Sequence, residues 1–115
     1  MKELSSLFRV ILERKNSPVE NSYTSYLFDK GLDKILKKCG EECSEMIIAA
    51  KSLEYGKNLS DKQSDLENEI CDLIYHIEVL MAFFDITPDN IDRILKERSL
   101  KIGNLKSVKD VDLNS

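Results

Sequence analysis

The stretch LDKILKKCGEECSEMIIAAKSLEYG, residues 32–56, reads as one long helix, and SDKQSDLENEICDLIYHIEVLMAFF, residues 60–84, reads as a second. In the first, Leu32, Ile35, Leu36, Cys39, Cys43, Met46 and Ala50 recur at helical spacing and mark an inward stripe, and Gly56 ends the helix near Tyr55. Ser60 or Asp61 starts the second helix, which runs to about Phe84. Each helix carries two acids three residues apart, Glu42 with Glu45 and Glu69 with Asp72. That spacing stacks both side chains on one face, with Cβ atoms about 5–6 Å apart. The four positions are centred on residue 57, inside the turn signal from Gly56 to Ser60. An antiparallel hairpin therefore brings the two pairs level.

Four carboxylates in one small volume need a counter-charge. At an effective dielectric near 20, two like charges about 5 Å apart repel by roughly 3 kcal/mol. Either protons or a cation must be present, and a set of oxygen donors suits a hard ion such as Mg²⁺ or Mn²⁺, which keeps several waters and bridges to phosphates. A solvated face is the ordinary reading of a Glu-rich helix. Here, however, the acids abut cysteine and branched aliphatics instead of alternating with Lys at i+4.

On a helical wheel, Lys34, Lys38, Glu42 and Glu45 form a strip beside the apolar stripe, and Asp65, Glu69, Asp72 and His76 form the matching strip. Lys34 and Lys38 are candidate phosphate contacts, since no Gly-rich phosphate loop exists. His76 could orient a ligand carboxylate or assist proton transfer. Glu41 lies further round the helix, which suits a supporting role outside the ligand set. Tyr23 and Tyr26 either line a pocket or pack. A di-iron bundle would use Glu-x-x-His on two helices, and the residue three before His76 is Leu73. Cys39 and Cys43, completed by Cys71 and His76, form an alternative zinc set; a small hydrophobic role is the commoner one for such cysteines.

Around this hairpin the remaining chain is also helical, with no convincing strand pattern. Leu4, Leu7, Phe8, Ile11 and Leu12 mark a first helix that stops near Asn16, before Pro18. Residues 16–22 form a linker, Asn21 or Ser22 caps a short segment from Thr24 to Lys30, and Gly31 breaks it from the long helix. Thr87 as cap and Pro88 at the first position announce a last helix with Ile91, Ile94 and Leu95 facing inward. The expected fold is all-α, a four- to five-helix bundle. Residues 1–105 are expected to make one domain, and 106–115 a polar, disordered tail. From Leu73 to Phe84 the helix is apolar nearly all round, so it needs cover on more than one side. A second copy is the expected cover, giving a homodimer.

With 115 residues the chain fits one domain. The net charge of −4 and pI near 5.1 argue against nucleic acid as a partner. Met1 to Lys15 has charges scattered among its apolar residues, unlike a signal peptide or a membrane span. Three cysteines without paired spacing fit a reducing compartment, so a cytosolic protein without membrane contact is expected.

Glu42-Cys43-Ser44-Glu45 followed by Glu69-Ile70-Cys71-Asp72 resembles the ExxE…ExxD signature of the MazG-like all-α nucleotide pyrophosphohydrolases. Ser22-Tyr23-Thr24, Lys30-Gly31, Lys34 to Lys38, Gly40-Glu41-Glu42, Ala49-Ala50-Lys51 and Asp72 to His76 narrow the likeness to its phosphoribosyl-ATP pyrophosphatase family, over about residues 1–100. Asn21 stands where that family often has Gly, and Cys39, Cys43 and Cys71 replace small apolar residues. The resemblance implies a dimeric, Mg²⁺-dependent enzyme that hydrolyses phosphoribosyl-ATP to phosphoribosyl-AMP and pyrophosphate, the second step of histidine biosynthesis. On that reading Glu42, Glu45, Glu69 and Asp72 hold the metal, Glu42 or Glu45 is the base, and Lys34 and Lys38 meet the phosphates. A house-cleaning nucleoside triphosphate pyrophosphohydrolase of the same superfamily is the nearest rival. A non-enzymatic helical interaction module is the alternative of another class.

Overall fold

The computed structural model of the protein describes residues 2–56 and 59–102, which form five helices and no strand among the described residues. They are α1 (Lys2–Asn16), α2 (Tyr23–Lys30), α3 (Leu32–Glu54), α4 (Leu59–Phe83) and α5 (Pro88–Ile102). The expected polar tail, 106–115, lies outside the described residues. The chain divides into two compact units, one up to Asp85 and one from Ile86.

Local chemistry sets the helix ends. Ser22 caps α2, its hydroxyl accepting from the Ser25 N–H at 3.2 Å. Gly31 separates α2 from α3 at φ +93°, a conformation that L side chains rarely adopt. Asn21, at φ +66°, also lies in the left-handed region. Asn tolerates that region better than most residues, which is why it can stand at a position otherwise suited to Gly. At the far end of α4, the Lys15 ammonium donates to the Ala82 carbonyl at 2.8 Å and pairs with Asp85 at 3.0 Å, placing a cation on the negative helix terminus. In the second unit, Thr87 and Asn90 cap α5 reciprocally, with Pro88 at the first helical position.

α3 and α4 form the antiparallel hairpin, α1 packs on α4, and α2 bridges α1 and α3. Phe8 and Ile11 of α1, Leu27 of α2, Ile35 of α3, and Val79 and Ala82 of α4 make the buried core. The stripe expected on α3 is only partly inward, because Leu36 and Ala50 are exposed. Leu36 follows Ile35 by 100° of rotation, so one of the two must turn away from a flat contact. Ile91, Ile94 and Leu95, expected to face inward, are all exposed. A stripe becomes core only where another surface covers it.

The apolar end of α4 holds the largest departure from expectation. Ile77 and Phe84 are exposed, whereas Glu78 is only 4% exposed and neither carboxylate oxygen has a hydrogen-bond partner among the described residues. Burial pushes the Glu78 carboxyl from 4.5 up to about 7. The folded state then keeps a proton that the unfolded chain releases between those values, so this group's contribution to stability falls as pH rises through that window. Urea unfolding of Glu78→Gln should lose this pH dependence and leave the variant more stable than the parent at pH 8. Parallel pH profiles for the variant and the parent would contradict the assignment.

A candidate metal centre in the helical hairpin

Across the hairpin Glu42 of α3 meets Glu69 and Asp72 of α4, Glu45 shares a cavity wall with Glu69, and Ser52 is bonded to Lys62. One oxygen each from Glu42, Glu69 and Asp72 lies within 4.8 Å of the others. Glu42 is buried, Glu69 half-buried and Asp72 exposed, so the group opens to solvent at one side. Oε2 of Glu42 and Oε2 of Glu69 are buried without a hydrogen-bond partner. An unpartnered buried carboxylate oxygen is costly unless a cation meets it. The donors are all hard oxygens, so they fit a magnesium- or manganese-type ion.

Glu45 is not one of the three. Its side chain is exposed and lines an adjoining cavity of about 360 Å³ with Glu69, Asp65, Ser52 and Lys62. The cavity continues the acidic strip toward the hairpin turn. Lys62 closes that end, donating to the Ser52 hydroxyl at 2.9 Å. Sequence reasoning missed Lys62 and Asn68, the latter also on the cavity wall. Lys62 falls on the extension of the strip through Asp65, Glu69 and Asp72, and that spacing would have found it.

Lys38 pairs with Glu41 at 3.2 Å and Glu42 at 3.4 Å. Its ammonium is held above the ordinary lysine value, first by the Glu41 hydrogen bond, and Glu41 is lowered in return by Lys38. One ammonium shared between two glutamates leaves the cluster negative, which favours a divalent ion over a proton. Glu41 thus stands outside the cluster and steadies Lys38. Lys34 is half-buried one turn earlier on the same strip.

His76 is buried and bonded through both ring nitrogens. Nδ1 lies 2.7 Å from the Asp72 carbonyl oxygen, and Nε2 lies 3.1 Å from the Tyr23 hydroxyl. A carbonyl only accepts, so Nδ1 carries the proton and Nε2 accepts from Tyr23. His76 therefore ties α2 to the backbone of a cluster carboxylate, and neither ring nitrogen is free to ligate. Cys39 donates to the His76 carbonyl at 3.4 Å and Cys71 is exposed, so the alternative zinc set does not assemble. Tyr23 and Tyr75 frame His76 edge-on, with centroids at 5.9 and 4.9 Å. Tyr75 in turn hydrogen-bonds the Thr24 hydroxyl. Burial raises both phenols above their ordinary value, opposed at Tyr23 by the charge of Lys38.

A family model described as phosphoribosyl-ATP pyrophosphohydrolase matches residues 4–99. The chain is 52% identical over 103 residues to the phosphoribosyl-ATP pyrophosphatase of Clostridium acetobutylicum, spanning 90% of this chain and 86% of that protein. It is 43% identical over 108 residues to the Streptococcus thermophilus protein of the same name, spanning 94% and 96%. With the Bacillus cytotoxicus protein, again so named, it shares 42% over 111 residues, spanning 96% of each.

His76 is the one histidine of the chain, so its ring nitrogens can be observed without ambiguity. Nitrogen-15 spectra should report the tautomer protonated at Nδ1. Tyr23→Phe should shift the Nε2 resonance and cost about 1 kcal/mol in urea unfolding. An unchanged Nε2 resonance would remove the Tyr23 bond.

Proposed function

This chain belongs to the phosphoribosyl-ATP pyrophosphohydrolase family, and on that premise we propose that it hydrolyses phosphoribosyl-ATP to phosphoribosyl-AMP and pyrophosphate, the second step of histidine biosynthesis. The observation that carries the reading is the convergence of Glu42, Glu69 and Asp72 within 4.8 Å, with two of their oxygens buried and unpartnered. Glu42, Glu69 and Asp72 would hold Mg²⁺, or Mn²⁺ in its place. That ion, when bound, neutralises the triphosphate and makes a bound water more acidic.

The protein's own groups supply the rest. Glu45, exposed one turn from Glu42 and beside Glu69, is free to accept the proton of the attacking water as general base. Glu42, being tied to Lys38, is the weaker candidate. Lys38 is placed to exchange Glu41 for a phosphate oxygen as charge develops between the α and β phosphorus atoms, and Lys34 presents a second ammonium on the same strip. The house-cleaning pyrophosphohydrolase reading would use the same carboxylates and differ only in the nucleoside pocket.

The working form is a homodimer. Ile70 and Ile77 of α4 and Phe84 just past its end recur every seven residues and are all exposed, as are Leu36 and Ile47 on one face of α3. Apolar seams at heptad spacing pack against a second helix, and a second copy of this chain supplies it. No helix among the described residues is long and apolar enough to cross a membrane. With its acidic surface and unpaired cysteines, the enzyme belongs in the cytosol.

Glu69→Gln should abolish pyrophosphate release with circular dichroism unchanged. EDTA should stop the wild type and Mg²⁺ restore it; turnover that persists in EDTA would refute the metal centre. A panel of ordinary nucleoside triphosphates should be cleaved far more slowly than phosphoribosyl-ATP. Analytical ultracentrifugation at micromolar protein should give twice the chain mass of 13.2 kDa, and a monomer there would overturn the dimer.

A further inference from the structure

Between the linker and α2 lies a second cleft, of about 540 Å³, walled by Pro18, Val19, Glu20, Tyr23, Tyr26 and Asp29. It is a shallow depression that opens widely to solvent. We propose that this cleft is the nucleoside subsite of the enzyme, where Tyr23 and Tyr26 stack on the purine and Glu20 and Asp29 accept hydrogen bonds from ribose hydroxyls. The inference rests on the function proposed above and names the part of the substrate that the carboxylate cluster does not hold.

Four observations carry it. First, Tyr23 belongs to both places: its ring lines the cleft, and its hydroxyl is bonded to His76, whose ring is anchored on Asp72. The charges of Lys38 and Glu42 act on the Tyr23 hydroxyl, so the ring lies near the cluster.

Second, Tyr23 and Tyr26 are 45% and 42% exposed, with ring centroids 6.1 Å apart and planes 24° from parallel. Two half-exposed, near-parallel phenol rings offer π faces suited to a flat heteroaromatic base.

Third, the wall is already ordered. The buried Ser25 hydroxyl accepts from the Val19 N–H at 3.0 Å and donates to the Arg14 carbonyl at 3.4 Å. The Ser22 N–H reaches the Val19 carbonyl at 3.2 Å, and the Lys30 ammonium lies 5.7 Å from the Tyr26 ring centroid. A pocket fixed in advance loses little entropy when a ligand enters.

Fourth, the lining separates the parts of the substrate by charge. Glu20 and Asp29 repel phosphate, so the cleft admits the uncharged middle of the molecule. As carboxylates they accept only, which matches the diol of a ribose.

The test uses the full chain. Isothermal titration with phosphoribosyl-AMP in EDTA reads the nucleoside side without the metal. The wild type should bind, Tyr26→Ala should bind about tenfold more weakly, and Tyr26→Phe should bind like the parent. Asp29→Asn, at an exposed position, should weaken binding several-fold, and it carries the test if circular dichroism shows Tyr26→Ala unfolded. In pyrophosphate release, the Tyr26→Ala defect should fall on KM more than on kcat. Equal affinity of Asp29→Asn and a folded Tyr26→Ala with the wild type, or no wild-type binding, would overturn the subsite. Should the wild type bind phosphoribosyl-AMP through this cleft yet release no pyrophosphate from phosphoribosyl-ATP, the proposed reaction falls and the subsite stands.

Discussion

The antiparallel register of α3 on α4 is the constraint from which the rest of the molecule follows. Because the two helices run antiparallel, Glu42 of α3 meets Glu69 and Asp72 of α4, and the three converge against their mutual repulsion. The hairpin tolerates this because it is anchored away from the charges. Ile35, Val79 and Ala82 bury their side chains with Phe8, Ile11 and Leu27, and Lys15 caps the end of α4. Apolar burial of about 25 cal/mol per Å² on that side holds together what electrostatics alone would push apart.

The cluster is also tied to α2 by a short chain of hydrogen bonds. The Asp72 carbonyl fixes the His76 proton on Nδ1, and that tautomer makes Nε2 an acceptor for Tyr23. The linker is pinned by Ser22 and Ser25, and Asn21 turns it at a positive φ. A ring that lines the neighbouring cleft is thereby positioned from the backbone of a cluster residue.

Polar and apolar groups are each found where the opposite is usual. Glu78 is buried with no partner among the described residues, while Ile47, Ile48, Ile77 and Phe84 meet solvent. In the second unit Ile91, Ile94 and Leu95 are likewise exposed. Helical periodicity shows that such residues seek cover. It does not show whether the cover comes from the same chain.

Much of this was legible in the chain itself. Five helices, their caps at Ser22 and Thr87, the break at Gly31 and the levelling of two acidic pairs all follow from local rules. Propensity, capping and the 3.6-residue turn act within a few positions. Which acids truly meet was not legible. Glu45 and Glu42 occupy one strip, yet Glu42 joins Glu69 and Asp72 while Glu45 lines the cavity beyond, because side-chain direction depends on the facing helix. Lys38 reaches Glu41 and Glu42, and His76 the Asp72 carbonyl, within single helices. The Tyr23 bond to His76 closes only when α2 packs beside α4, and the burial of Glu78 depends likewise on packing. Local chemistry determined the helices and the acidic motif, and the tertiary structure decided which side chains share a volume, since that depends on contacts between helices.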